Sequence, residues 1–331
     1  MQRSEPLDPH SPASVPRLRP RDVGAILDQA VVLYRRNFVT YVGIAALMQV
    51  PVSLVLTLAN ILLLDPTSLS TPVPPQRGAG ADALLSYNQA MAAWLSDLLS
   101  RTMLIVLVAV LGGILLNIAT GALARAIADG YMGRPVGVLA AYRAVWPRVP
   151  ALTGAMLLLL LATTLILVPP LFVWIFVGWS FASQAIVLEG QSVTGALARS
   201  WQLVQGSWWR VFGAYLLLLL IGVVVSLSAT MVSLLLQFTG ASWAMQNIIT
   251  QFVSLLLTVL YVPIRLAGMT LLYFDLRVRK EGFDLQLALD GRAAELGLQP
   301  APAGAGWPYQ AQPMASAQVP VVRPYSEVPG L

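Results

Sequence analysis

Six apolar runs dominate this chain, and each is long enough to cross the roughly 30 Å hydrocarbon layer of a bilayer as a helix. A spanning helix needs about 20 apolar residues, because an α-helix rises about 1.5 Å per residue. Backbone groups in lipid must be bonded within the segment, so such runs indicate helices. The runs are residues 39–64, 103–126, 151–168, 171–188, 211–236 and 248–274. The sequence therefore predicts an all-α integral membrane protein with six transmembrane helices.

The composition excludes several kinds of chemistry. Apolar residues make up 57% of the chain and charged residues only 11%, against about 45–50% and 25% in soluble domains. The chain has no cysteine and a single histidine, His10, which removes thiolate nucleophiles, disulfides and histidine-rich metal centres. Glycine-rich phosphate loops and Gly-x-Ser-x-Gly elbows are also missing from the sequence. We expect a non-enzymatic protein with no catalytic residue, metal or cofactor.

The basic residues predict the orientation of the spans. With the N-terminus in the cytoplasm, 18 of the 20 Lys and Arg residues fall on the cytoplasmic side, and only Arg77 and Arg101 fall outside. Cytoplasmic flanks of membrane proteins retain basic residues. We expect a multi-pass protein of the cell membrane with both termini in the cytoplasm. The first span would act as the insertion signal, because residues 1–20 contain five prolines and no apolar run.

The polar parts of the chain divide it into three regions. Residues 1–20 and 297–331 are rich in proline and should be disordered, whereas residues 21–290 form the membrane domain. The outer loop is predicted to cover residues 65–102. From about Asp82 its apolar residues follow one helical face. This helix would run into the second span or lie on the outer surface, or it would act as a lid over an external cavity.

Three segments before the spans share an amphipathic pattern and indicate a threefold repeat of one helix followed by a hairpin of two spans. The apolar residues of the first segment fall at helical steps of 3 and 4, and the third repeats those steps. In the middle segment, Pro147 should end the helix near Trp146. We expect these to be interfacial helices on the cytoplasmic side. The two apolar faces are Val23, Leu27, Val31, Tyr34 and Phe38, and Val193, Leu197, Trp201, Val204 and Trp208.

Arginines near these helices are the candidate contacts for anionic lipid head groups on the cytoplasmic side: Arg35, Arg36, Arg199 and Arg210. No aromatic platform lies among them, so we expect no nucleic-acid partner. An unknown protein partner is compatible with the same surface. Within the spans, Gln49, Gln184 and Arg265 form a candidate intramembrane polar site, because polar groups at that depth are costly. The alternative is that the amides only bridge helices.

No acidic residue lies within the spans to pair with Arg265. The depth of Arg265 depends on where the last span ends, and two interpretations are open. If the last span reaches Phe274, Arg265 lies deep in the membrane. If the span ends near Leu266, Arg265 extends to lipid phosphate and residues 266–274 run along the membrane surface. The absence of a carboxylate between the span boundaries argues against a proton-driven carrier.

Three segments together resemble the membrane-domain family named after glycerophosphoryl diester phosphodiesterase, found in many bacteria. They are residues 22–38, which end in Tyr-Arg-Arg-Asn-Phe, residues 188–206 and residues 271–285. The resemblance implies a multi-helix membrane bundle of unestablished activity. The family's soluble phosphodiesterase barrel is missing, so no enzymatic activity is implied. We therefore expect a lipid-associated scaffold or partner-binding domain; the alternatives are a transporter or permease-like subunit for a small or amphipathic molecule, or a lipid-modifying enzyme.

Overall fold

The computed structural model describes residues 22–64, 70–76 and 80–282, and these residues contain α-helices and short 3₁₀ turns but no strand. The predicted tails at 1–20 and 297–331 lie outside the described residues, as do residues 65–69 and 77–79 of the predicted outer loop. The helices are α1 Val23–Arg36, α2 Phe38–Leu63, α3 Ala81–Tyr131, α4 Val138–Val145, α5 Val149–Ala162, α6 Pro169–Gly178, α7 Ala182–Glu189, α8 Val193–Val204, α9 Trp208–Gln237 and α10 Trp243–Glu281.

Six helical segments of the described chain are long and apolar enough to span a membrane. Four of them are single helices, namely α2, α3, α9 and α10, whereas the third combines α4, α5 and the 3₁₀ turns beside α5. The fourth combines α6 and α7, which are separated at residues 179–181. The predicted all-α fold with six transmembrane helices is confirmed.

The second spanning helix is much longer than a bilayer is thick. Helix α3 has 51 residues, which corresponds to about 75 Å at 1.5 Å per residue. The helix predicted from about Asp82 begins at Ala81 and runs without a break into the second span, as in the first of the alternatives. Its partner α2 ends at Leu63, whose carbonyl oxygen accepts a hydrogen bond from Arg101. None of residues 81–100 is fully buried.

The buried core lies at one end of the bundle, around the second half of α10. Every residue from Leu266 to Val278 is buried, because α1, α2, α3 and α8 pack around this segment. An apolar segment packed on all sides belongs to a protein interior. Residues 266–274 therefore continue α10 inside the packed protein, and the position of this segment and of Arg265 relative to a membrane stays a prediction. In contrast, the parts of α2, α5 and α9 far from this core expose most of their leucines and valines.

The two amphipathic helices at this end pack partly through the predicted faces. In α8, Leu197 and Val204 are buried as predicted, and the covered surface also includes Ala196 and Leu203. In α1 the buried side is rotated toward Ile26, Ala30 and Leu33, and Val31 of the predicted face is exposed. Helical periodicity alone cannot separate these neighbouring faces. The position of both helices at a membrane surface and the threefold repeat stay predictions.

Candidate functional site: a lateral cavity between α9 and α10

A cavity of about 480 Å³ lies between α9 and α10, within the size range of ligand pockets in proteins. We call it the lateral cavity. Its wall is largely apolar, and Leu219, Val223 and Leu227 of that wall are also exposed on the outer surface of the bundle. The cavity therefore opens sideways, toward the region that lipid would occupy.

Arg265 lines the lateral cavity and is half-buried. It makes no hydrogen bond or ion pair with any residue that the structure describes. The residue lies about 33 Å along α10 from Trp243 at 1.5 Å per residue, so a hydrocarbon layer roughly 30 Å thick that began at Trp243 would end close to it. A cation in this position is either hydrated or paired with a group outside the described chain.

Two tyrosines accompany Arg265 in the lateral cavity. The hydroxyl of Tyr261 donates a hydrogen bond to the carbonyl oxygen of Leu218, at 2.5 Å, and approaches Gly222 closely enough to leave no room for a Cβ atom there. This contact fixes the register of the antiparallel helices α9 and α10, so Tyr215 lies level with Arg265. The Tyr215 hydroxyl makes no hydrogen bond within the described residues, although its ring packs edge-on against Phe176.

The other two members of the predicted intramembrane site lie elsewhere. Gln49 of α2 donates to the hydroxyl of Ser53 at 3.4 Å, one helical turn away. Gln184 of α7 is 1% exposed and accepts a hydrogen bond from Ser183. Neither glutamine is among the residues that line the lateral cavity with Arg265. The intramembrane polar site of Gln49, Gln184 and Arg265 and the transporter alternative stay predictions.

A second cluster of charged groups ties α7, α8 and α10 together at the core end, and we call it the ion-pair clamp: Glu189, Arg199, Arg277 and Glu281. Arg199 donates to both oxygens of Glu189, at 2.8 and 3.1 Å, and to both oxygens of Glu281. Arg277 lies 3.5 Å from Glu189 and 3.3 Å from Glu281. The hydroxyl of Tyr273 also donates to Glu189. Four charges are therefore neutralised pairwise where three helices meet.

The clamp keeps Arg199 charged. Burial alone would lower the pKa of the Arg199 guanidinium, but its hydrogen bonds with Glu281 and Glu189 outweigh burial and raise that pKa above the ordinary arginine value. The side chain of Arg277 is only 7% exposed, and the two nearby carboxylates compensate the cost of burying its guanidinium.

The predicted head-group contacts divide into two pairs. Arg35 and Arg36 end α1, are exposed, and have no ion-pair partner among the described residues. Arg199 belongs to the ion-pair clamp, and Arg210 lies 3.0 Å from Asp275. The structure leaves Arg35 and Arg36 most accessible to a lipid surface, and their contact with lipid remains a prediction.

The fourth span is interrupted, and α8 fills the interruption. The hydroxyl of Ser200 donates to the carbonyl oxygen of Gly178 at 2.7 Å and accepts from the backbone N–H of Phe181 at 3.1 Å. The ring of Trp201 packs against Gly178 where a Cβ atom would stand. Two backbone groups freed by the break are thereby bonded to protein.

Sequence reasoning identified Arg265 but missed Tyr215, Tyr261 and the acidic half of the clamp. Tyr261 precedes Arg265 by one helical turn, which is a usable signal. Glu189 and Glu281 fall in two of the segments that carry the family resemblance, and the fold brings those segments together. No group of three or more His, Cys, Asp or Glu that could hold a metal ion occurs among the described residues.

Comparison with known proteins gives one family. The family described as "Domain of unknown function (DUF7847)" matches residues 37–276, which include α2 to α9 and most of α10. No curated protein and no solved structure matches the chain. The match carries no link to the membrane domain of glycerophosphoryl diester phosphodiesterase, so that resemblance stays a prediction.

Proposed function

We propose that this chain, which belongs to the DUF7847 family of unknown function, is a non-enzymatic multi-pass membrane protein that binds an anionic membrane lipid in the lateral cavity. The observation that supports the proposal is Arg265, a half-buried cation without a partner among the described residues, in a largely apolar cavity that opens sideways. An amphiphile with an anionic head and an apolar chain matches both parts of this cavity.

The physical argument is one of charge compensation. An isolated cation at the edge of the hydrocarbon layer is costly unless it is hydrated or paired. A guanidinium binds phosphate through two parallel hydrogen bonds, and the Tyr215 hydroxyl at the same level supplies a further donor. A lipid phosphate would therefore satisfy two groups that the described protein leaves unbonded.

The same cavity supports a binding role rather than a catalytic one. No carboxylate or imidazole is among its lining residues, which are apolar, hydroxyl-bearing and tyrosine side chains plus Arg265. Carboxylates and imidazoles are the most frequent general acids and bases. We place the protein as a lipid-associated scaffold, whose cytoplasmic surface is open to a protein partner.

The proposal includes an orientation. We place the core end, with the ion-pair clamp, at the cytoplasmic face of the cell membrane and both termini on that side. Support comes from the uneven distribution of basic residues in the sequence. In this orientation Arg35 and Arg36 would face the anionic head groups of the inner leaflet.

The test is the lipid that the purified protein retains. The full chain would be purified in a mild detergent and its bound lipid measured by native mass spectrometry. We expect Arg265→Gln to lose the retained anionic lipid, and Arg265→Lys to lose part of it, because an ammonium cannot form the planar bidentate contact. Arg143→Gln is the matched control, since Arg143 is exposed and does not line the cavity. Equal retention by Arg265→Gln and the wild-type protein would refute the proposal.

A further inference from the structure

Two further polar side chains in the lateral cavity have no hydrogen-bond partner among the described residues. The hydroxyls of Ser226 on α9 and Thr258 on α10 both line the cavity. Neighbouring hydroxyls behave differently: Ser228 donates to the carbonyl oxygen of Val224 at 2.8 Å, and Thr230 donates to that of Ser226 at 3.1 Å. Bonding to the preceding helical turn is the usual solution for Ser and Thr in a helix. Ser226 and Thr258 are thus available as donors to a ligand.

The positions of these hydroxyls relative to Arg265 are fixed by the helices. Thr258 precedes Arg265 by two turns of α10, about 10 Å along the axis. The Cα–Cβ bonds of an α-helix are tilted toward its N-terminus, so an arginine side chain that follows this direction extends toward Thr258. Tyr261 of α10 contacts Leu218 and Gly222 of α9, which sets the register of the antiparallel pair. In this register Ser226 lies slightly farther from Arg265 along the helix axes than Thr258 does. The polar groups therefore form two levels, a cationic level and a hydroxyl level.

We propose, on the basis of the lipid-binding function above, that the ligand is a phospholipid with ester-linked acyl chains. Its phosphate would contact Arg265 and Tyr215, and its ester carbonyls would accept hydrogen bonds from Thr258 and Ser226. A carbonyl oxygen only accepts hydrogen bonds, which matches a level made of hydroxyl donors. One acyl chain then continues along the apolar wall formed by Val223 and Leu227.

This assignment discriminates among anionic amphiphiles. A fatty acid or an alkyl phosphate has an anionic head but no carbonyl at the second level. An ether-linked phospholipid has the same head and chains but lacks both carbonyl oxygens. The first two would leave the hydroxyls unbonded, and the diether would offer them only its ether oxygens, which are weaker acceptors than carbonyls; both losses disfavour binding. One hydrogen bond of ordinary strength corresponds to about a fivefold change in affinity.

The experiment is a competition on the full-length protein in detergent micelles, read by native mass spectrometry. The probes are a diacyl phosphatidylglycerol, its diether analogue with identical head and chains, an alkyl phosphate and inorganic phosphate. We expect the wild-type protein to favour the diacyl lipid over the diether lipid by about fivefold or more. The alkyl phosphate should bind more weakly than the diacyl lipid, and inorganic phosphate should not displace it. Displacement by inorganic phosphate would identify a site for a free anion and overturn the inference.

The variant Ser226→Ala/Thr258→Val removes both hydroxyls with little change in volume. It should bind the diether lipid as the wild-type protein does and lose the preference for the ester. The control Thr57→Val/Ser228→Ala removes two hydroxyls that bond their own helices outside the cavity, and it should keep that preference. Equal binding of both lipids by the wild-type protein overturns the inference without any variant, even if the double variant fails to fold.

The outcome also separates this inference from the function on which it rests. If Arg265→Gln loses lipid while ester and ether lipids bind equally well, lipid binding stands and the ester assignment is wrong. If Arg265→Gln retains as much anionic lipid as the wild-type protein, the proposed lipid-binding function is refuted, and the ester assignment that rests on it is refuted too.

Discussion

The hydroxyl of Ser200 in α8 lies 2.7 Å from the carbonyl oxygen of Gly178, the last residue of α6. It also accepts a hydrogen bond from Phe181, just before α7. One buried side chain therefore bonds both edges of the break in the fourth span. A helix outside the spans completes the backbone hydrogen bonding of a segment that is apolar enough to cross the membrane.

Replacing Ser200 by Ala should destabilise the protein by about 1–3 kcal/mol, because two buried backbone groups lose their partner. The measurement is the free energy of unfolding in a mixed-micelle denaturant titration. Ser228→Ala is the control, since that hydroxyl is exposed and bonds only its own helix; its effect should stay within about 0.5 kcal/mol. Equal effects of the two substitutions would mean that the break does not depend on Ser200.

Gly178→Ala should be strongly destabilising, because the added methyl group meets the ring of Trp201. We expect about 1–3 kcal/mol, the usual cost of overpacking a core. Gly213→Ala is the matched substitution in an open position of α9, and it should be neutral or stabilising by up to about 1 kcal/mol. A double-mutant cycle with Trp201→Ala measures the coupling energy. A coupling energy of zero would contradict the contact between Gly178 and Trp201.

Glu189→Gln tests the ion-pair clamp. The change leaves Arg199 and Arg277 to share the single carboxylate of Glu281, and we expect a loss of about 2–4 kcal/mol in the free energy of unfolding. Asp97→Asn breaks an ion pair with Arg101 in which the acid is 46% exposed, and it should cost less than about 1 kcal/mol. A clamp substitution no more costly than this control would show that the four charges are hydrated in the native state.

Arg35→Gln/Arg36→Gln should weaken attachment to anionic lipid, because each basic residue near such a surface contributes about 1 kcal/mol. The measurement is partitioning of the purified protein between nanodiscs with and without phosphatidylglycerol. Arg101→Gln removes a basic residue whose charge is already paired with Asp97, so it should partition as the wild-type protein does. Identical partitioning of all three proteins would refute the head-group contact.

The orientation can be tested with single cysteines, since the native chain has none. Ser86 and Ala198 are both exposed, so both should react once the reagent reaches them. We expect Ser86→Cys to react with an impermeant maleimide in intact cells and Ala198→Cys to react only after permeabilisation. Labelling of Ala198→Cys in sealed cells would reverse the proposed orientation.

The number of spans could be read from the sequence because hydrocarbon thickness dictates the length of an apolar run. Arg265 could also be singled out, since a charge inside a span is rare. The break after Gly178 could not, because it depends on Ser200, which is close in space but belongs to another helix. The sequence pattern places Arg199 at a lipid surface for a similar reason. Helical periodicity shows that one face differs from another, but not whether that face meets phosphate or the carboxylates of Glu189 and Glu281.

The buried segment of α10 has a consequence for how the protein is made. Helix α1 packs against this segment, with Leu27 next to Gly268, yet α1 leaves the ribosome long before α10 is translated. The contacts of the core end are therefore among the most distant in sequence, and such contacts form slowly. The core end is therefore complete only after α10 has been made and has packed against the earlier helices.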